Sequence, residues 1–238
     1  MSPELPALVT PLAIAMGIAA THLFAGGLSF LGGVPRSRWL SAGGGASVAY
    51  VFLHLLPDLA AAHQRGGVRS ETIYFVVALS GLVAFYGVER QVRRHTREGS
   101  GRMPAGIFWL HVGSFALYNL IIGYLLLHRE ERGLASLLLF GAAMGFHFLS
   151  SDYGMRLDHP RDYDRIARWV LAAMVLCGLL FGLMVEVPRP AVDALFSFLA
   201  GGVVLNVMKE ELPEERQARF GAFLLGVLGY GAVLLLIG

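Results

Sequence analysis

Eight stretches of mostly apolar residues, each long enough to cross a bilayer as a helix, constrain this chain more than any other feature. They run approximately Leu8–Leu31, Leu40–Ala61, Thr72–Val88, Ala105–Leu127, Leu134–Met155, Ile166–Val185, Ala191–Met208 and Phe220–Ile237. A hydrocarbon core about 30 Å thick needs roughly 20 residues of helix, and each stretch is close to that length. Charged residues fill only 15% of the 238 positions, against roughly a quarter in soluble domains. Most of the surface must therefore face lipid. No stretch alternates apolar with polar residues as a membrane barrel strand does. The expected fold is all-α, a single transmembrane domain over residues 1–238 with eight spans.

The connections are short and polar, and their basic residues set an orientation. Of the 19 basic residues, Arg65, Arg69, Arg129, Arg132 and Arg189 fall in one alternation of loops, and the rest fall in the other. Loops rich in arginine and lysine stay cytoplasmic. Both termini are then expected outside, in a multi-pass protein of a cell membrane such as the bacterial inner membrane. Trp39, Trp109 and Trp169 each stand near the start of a span entering from the basic face, where indole rings favour the interface. The longest connection, Glu89 to Pro104, is arginine-rich and punctuated by Gly99, Gly101 and Pro104. A net charge of +2 gives no field suited to nucleic acid. The lone Cys177 excludes a disulfide or a multi-cysteine metal site within one protomer. No basic residue precedes the first apolar stretch, so that stretch is expected to remain as a span.

The second and seventh spans resemble each other. Gly45 to Asp58 aligns without gaps on Gly201 to Glu214, pairing Gly45 with Gly201, Val48 with Val204 and Val51 with Val207. Leu56-Pro57 falls on Leu212-Pro213, and an acid follows the proline in both, Asp58 and Glu214. Five spans apart, the two copies would cross in opposite directions, the pattern of inverted-repeat transporters. Spans one to three would then pair with six to eight, leaving four and five between them.

These residues resemble ZIP-type divalent-metal transporters. Ala42-Gly43-Gly44-Gly45 leading to His54-Leu55-Leu56-Pro57-Asp58 is similar to that family's second span, and Leu199 through Glu214 to its seventh. The resemblance implies a three-plus-two-plus-three plan and a single divalent metal ion, zinc or similar, as substrate rather than as resident cofactor. It implies a carrier rather than an enzyme, with membrane lipid and the metal ion as partners. A homodimer is compatible with this plan. By the same resemblance the metal ligands are Asn119 in the fourth span and His147 with Asp152 in the fifth. The chain departs from the family pattern there. Tyr118 and Ile122 stand at two ligand positions of the fourth span, and Ser151 stands where the fifth carries an acid.

The remaining path residues follow from polarity within spans, because a charged or strongly polar side chain inside a membrane faces a cavity or another helix. His54 and Asp58 are four apart on one helix face and are expected at the external mouth. Glu210 takes the equivalent place at the other end. Ser150 and Ser151 add oxygens beside Asp152, or bond their own helix. Asp152 also has Arg156 four residues on as an ordinary partner. His22 and His111 match no ligand position of the family and read as histidines bonded to neighbouring helices. His63, His128 and His159 read as solvated loop residues. A hydrolase built from the four membrane histidines would need a close histidine pair on one helix, and no His-x-x-x-His occurs.

Overall fold

The computed structural model describes residues 5–27, 38–65, 72–97, 104–129, 133–211 and 219–237. Among these every element is a helix or helical turn, with no strand. Seven helical stretches are long and apolar enough to cross a membrane, and an eighth, Phe220–Leu236, is apolar and slightly shorter. These lengths and compositions are compatible with a multi-pass membrane protein. The first span is α1 (Leu5–Phe24), closed by a 3-10 turn at Ala25–Gly27. The second is α2 (Arg38–Tyr50), a π-turn (Val51–Leu55) and α3 (Leu56–Arg65). Then come α4 (Ile73–Arg97), α5 (Ala105–His128) and α6 (Leu134–Asp158). The sixth span joins α7 (Pro160–Asp162), a π-turn (Tyr163–Ala167) and α8 (Arg168–Met184). The chain ends with α9 (Arg189–Glu211) and α10 (Phe220–Ile237).

Two boundaries move furthest from the sequence expectation, each because a residue beyond the apolar run finds a partner or a buried place. The third span does not stop at Val88 but continues to Arg97, because Glu89 and Arg93 satisfy each other one turn apart at 2.7 Å. The sixth begins before Ile166, because Tyr163 is fully buried against the bundle rather than solvated. The π-turn in the second span has a local cause. Pro57 has no N–H to donate one turn back, and its ring crowds the preceding carbonyls. The helix widens there, with the Leu56 N–H reaching Val51 O.

Glycine sets the closest helix crossings. A β-carbon at Gly45 would collide with the Phe223 carbonyl oxygen and lie 2.9 Å from the Val227 nitrogen. One at Gly226 would collide with the Ala42 carbonyl, so α2 and α10 cross backbone to backbone. The same contact recurs between α4 and α9. There Gly201 lies against Ala78 O and Leu82 N, and Gly81 against Phe198 O. The two crossings correspond residue for residue. A shift of 156 carries Ala42 and Gly45 onto Phe198 and Gly201, and one of 145 carries Ala78, Gly81 and Leu82 onto Phe223, Gly226 and Val227. Gly123 and Gly178 make a third such approach between α5 and α8.

Burial separates inner from outer helices. In the apolar window of α5, 67% of residues are buried, whereas in that of α4 only 17% are. The exposed face of α4 is Leu79, Val83 and Tyr86, and that of α10 includes Leu225, Leu228 and Leu235. In water such faces would be costly; against hydrocarbon they are solvated. Trp39, Trp109 and Trp169 are all exposed.

Candidate functional site

The polar residues of the interior gather at three levels. At the centre, the ring of His22 on α1 joins two other helices. Its Nδ1 lies 2.7 Å from Asp152 Oδ2 on α6, and its Nε2 lies 2.7 Å from Asn119 Oδ1 on α5. All three side chains are buried. The Asn119 amide is oriented by its own helix, since Nδ2 donates to Phe115 O at 2.9 Å. Its oxygen must therefore accept, and His22 Nε2 must carry hydrogen. The other ring nitrogen meets Asp152 Oδ2, so the imidazole bridges α5 and α6 through both of its nitrogens. Both contacts lie at the short end of the hydrogen-bond range. The His22 carbonyl accepts from Tyr163 Oη at 3.1 Å, and the Phe148 ring lies 4.7 Å from the imidazole.

Asp152 thus bonds across the bundle rather than to Arg156. That arginine instead makes two bonds to Asp164, at 2.9 and 3.0 Å. His147 does not join the network. It lies on a different face of α6, its ring centroid 5.6 Å from that of Tyr118 on α5, and Ser151 is one turn along that face. Tyr118 Oη, His147 Nε2 and Ser151 Oγ are buried without a hydrogen-bond partner, as is Asn206 Nδ2 on α9. Ser150 is buried too, but it is partnered. The three ligands implied by the resemblance are therefore divided. Asn119 and Asp152 are bridged by His22, and His147 stands apart. Among the described residues, no three His, Cys, Asp or Glu side chains form a metal-holding group.

The second level is a cavity of about 30 Å³ at the end of the bundle away from the basic loops. That is room for one or two waters. His54 and Asp58 line it, 3.6 Å apart, because the π-turn and the helix after Pro57 present them one above the other. Tyr50, Arg129, Arg189 and Asp193 share the lining. Arg189 pairs with Asp193 at 3.3 Å, and Arg129 donates to Ser136 Oγ at 2.9 Å while lying over the Phe140 ring. Sequence reasoning missed these two arginines and Asp193, although the four-residue spacing of Arg189 and Asp193 carried a signal.

The third level lies at the opposite end. Glu89 accepts from Arg93 at 2.7 Å and from Lys209 at 2.8 Å, tying α4 to α9. His111 Nδ1 and His159 Nε2 share a hydrogen bond of 3.2 Å, one nitrogen donating and the other accepting. His159 is not a solvated loop residue. It is 4% exposed, and burial lowers its pKa against the opposing charge of Asp162. His128 also departs from the solvated expectation. Its ring stacks on Tyr124 at 4.4 Å, and its Nε2 lies 2.8 Å from Gly182 O. Glu210 falls within α9, and Glu214 lies outside the described residues, as do Arg36 and Arg216. No family model, curated protein or solved structure matches the chain.

Proposed function

We propose that this chain is a ZIP-like membrane carrier, with inverted repeats of spans one to three and six to eight around spans four and five. The reading is supported by the equivalent glycine crossings, which pair the second span with the eighth and the third with the seventh in one register. Exchanging repeats turns one crossing into the other. The proposed cargo is a single divalent cation moving toward the cytoplasm, from His54 and Asp58 to a centre at His147. One observation carries this most. Buried polar atoms almost always have partners, yet His147 Nε2 and the hydroxyls of Tyr118 and Ser151 have none. Imidazole nitrogen is a ligand suited to zinc and its neighbours.

Uptake of Zn²⁺, Mn²⁺ and Co²⁺ into proteoliposomes tests the reading. His147→Ala is expected to lower uptake at least about tenfold, the effect of losing a principal ligand or its support. Asp58→Asn should act mainly at low metal concentration, since its role is capture. Absence of uptake for every divalent ion would discard the cation and leave the second reading, a ZIP-fold relative with another small solute or none. Two observations favour that second reading. Arg129 and Arg189 balance Asp58 and Asp193 in the outer cavity, and His22 occupies the polar atoms of Asn119 and Asp152.

Orientation has its own test. A cysteine introduced between Arg93 and Arg102, in a background with Cys177 replaced, is expected to react only with reagents reaching the cytoplasmic face. Labelling of intact cells by an impermeant maleimide would reverse the topology.

A further inference from the structure

The pair at the basic-loop end of the bundle has the geometry of a ligand site. Zinc binds imidazole nitrogen at about 2.0–2.1 Å, so two ligands on a tetrahedron stand about 3.3 Å apart. His111 Nδ1 and His159 Nε2 are 3.2 Å apart, brought together from 48 positions of separation in sequence. We infer that His111 and His159 form a binding site for one late transition-metal ion of the zinc class, completed by water. The inference does not rest on the central site and stands whether or not the chain is a carrier.

The backbone is built to present the second ligand. Residues Leu134 to Met184 would form one uninterrupted helical run but for His159, which leaves the helical conformation at φ −137° and ψ 61°. Pro160 follows, and a residue before proline is pushed away from helical geometry. Both flanking hydrogen bonds persist nonetheless, His159 N to Met155 O at 2.9 Å and Tyr163 N to His159 O at 2.8 Å. His159 is thus the corner between the fifth and sixth spans, and the turn places its ring against His111. Both rings are buried, and each is held edge-on by an aromatic neighbour: Phe108 against His159 and Phe115 against His111, both with centroids 5.4 Å apart. An apolar collar of this kind fixes ring orientation and limits solvent access. Asp162, one turn on, supplies a negative charge that acts on His159. Glu89 and Lys209 both act on His111, and they offset each other as a 2.8 Å pair.

Cobalt(II) is the probe, because a bound ion reports its imidazole ligands by visible absorption. Purified protein titrated with Co²⁺, then displaced with Zn²⁺, is expected to bind one ion at this site with micromolar affinity. Either His111→Ala or His159→Gln should remove that one equivalent, while His147→Ala leaves it in place. No binding by the unaltered protein, or the same stoichiometry in both variants, would overturn the assignment. A measurement on the unaltered chain covers the case in which a variant fails to fold. Zn²⁺ should slow carbethoxylation of His111 and His159 by diethyl pyrocarbonate, read by mass spectrometry. Equal modification with and without Zn²⁺ would equally overturn it.

Discussion

Replacing His22 by alanine is expected to destabilise the folded protein by about 3–5 kcal/mol, the cost of removing one partner from a buried ion pair. Three helices lose their common link at once. Asp152 would keep its charge in a site only 1% exposed, and Asn119 Oδ1 would lose the donor its fixed amide needs. The cost lies in a carboxyl group left buried without its partner. The double variant His22→Ala/Asp152→Asn tests this, since it has no charge left to strand. It should recover a substantial part of the loss, as a double-mutant cycle in detergent measures by thermal unfolding. A single variant within about 0.5 kcal/mol of the unaltered protein would mean that the bridge contributes nothing to the fold.

Why His22 was not legible as a hub is instructive. Its partners lie 97 and 130 residues away, so no local spacing announces them. A polar residue in a span signals an inward face, and the sequence carried that much for His22, His54, His111 and His147 alike. It does not reveal which inward residues meet. That depends on helix rotation, which the gapped, weakly amphipathic apolar runs leave open. His159 shows the complementary failure. Flanked by Asp158, Pro160 and Arg161, it reads as solvated by composition, yet the helix break turns its ring inward against His111. What composition does specify is the solvent. The eighth span begins at Phe220 and ends at Ile237 in both readings, because its apolar run starts abruptly after Arg219 and holds no charged residue. Where polar residues flanked a span, the boundary moved wherever they found partners one turn away, as Glu89 did with Arg93. The divided ligand set follows from the same rotation. Asp152 is one residue beyond Ser151, hence about 100° around α6. It therefore faces His22, while Ser151 remains on the His147 side.

Among substitutions that add rather than remove atoms, Gly45→Ala and Gly201→Ala are expected to have effects among the largest. Each places a methyl group inside the van der Waals radius of a backbone carbonyl on the crossing helix, Phe223 O for Gly45 and Ala78 O for Gly201. A side chain in the way could rotate aside; a helical backbone moves only if the whole crossing opens. Overpacking costs typically about 1–3 kcal/mol, and these two sites should fall at or above the upper end of that range. Both variants are expected to lose stability by similar amounts, because the two crossings repeat one geometry. Gly87→Ala and Gly113→Ala are the controls, since a β-carbon there meets nothing within 4 Å. Alanine in those open helical positions should be neutral or stabilising by up to about 1 kcal/mol, through helix propensity alone. Thermal unfolding of the four variants in one detergent separates the cases. A large loss at Gly45 with none at Gly201 would break the equivalence of the crossings, and with it the support for an inverted repeat. Equal tolerance at all four positions would show that these helices do not approach as closely as their glycines allow.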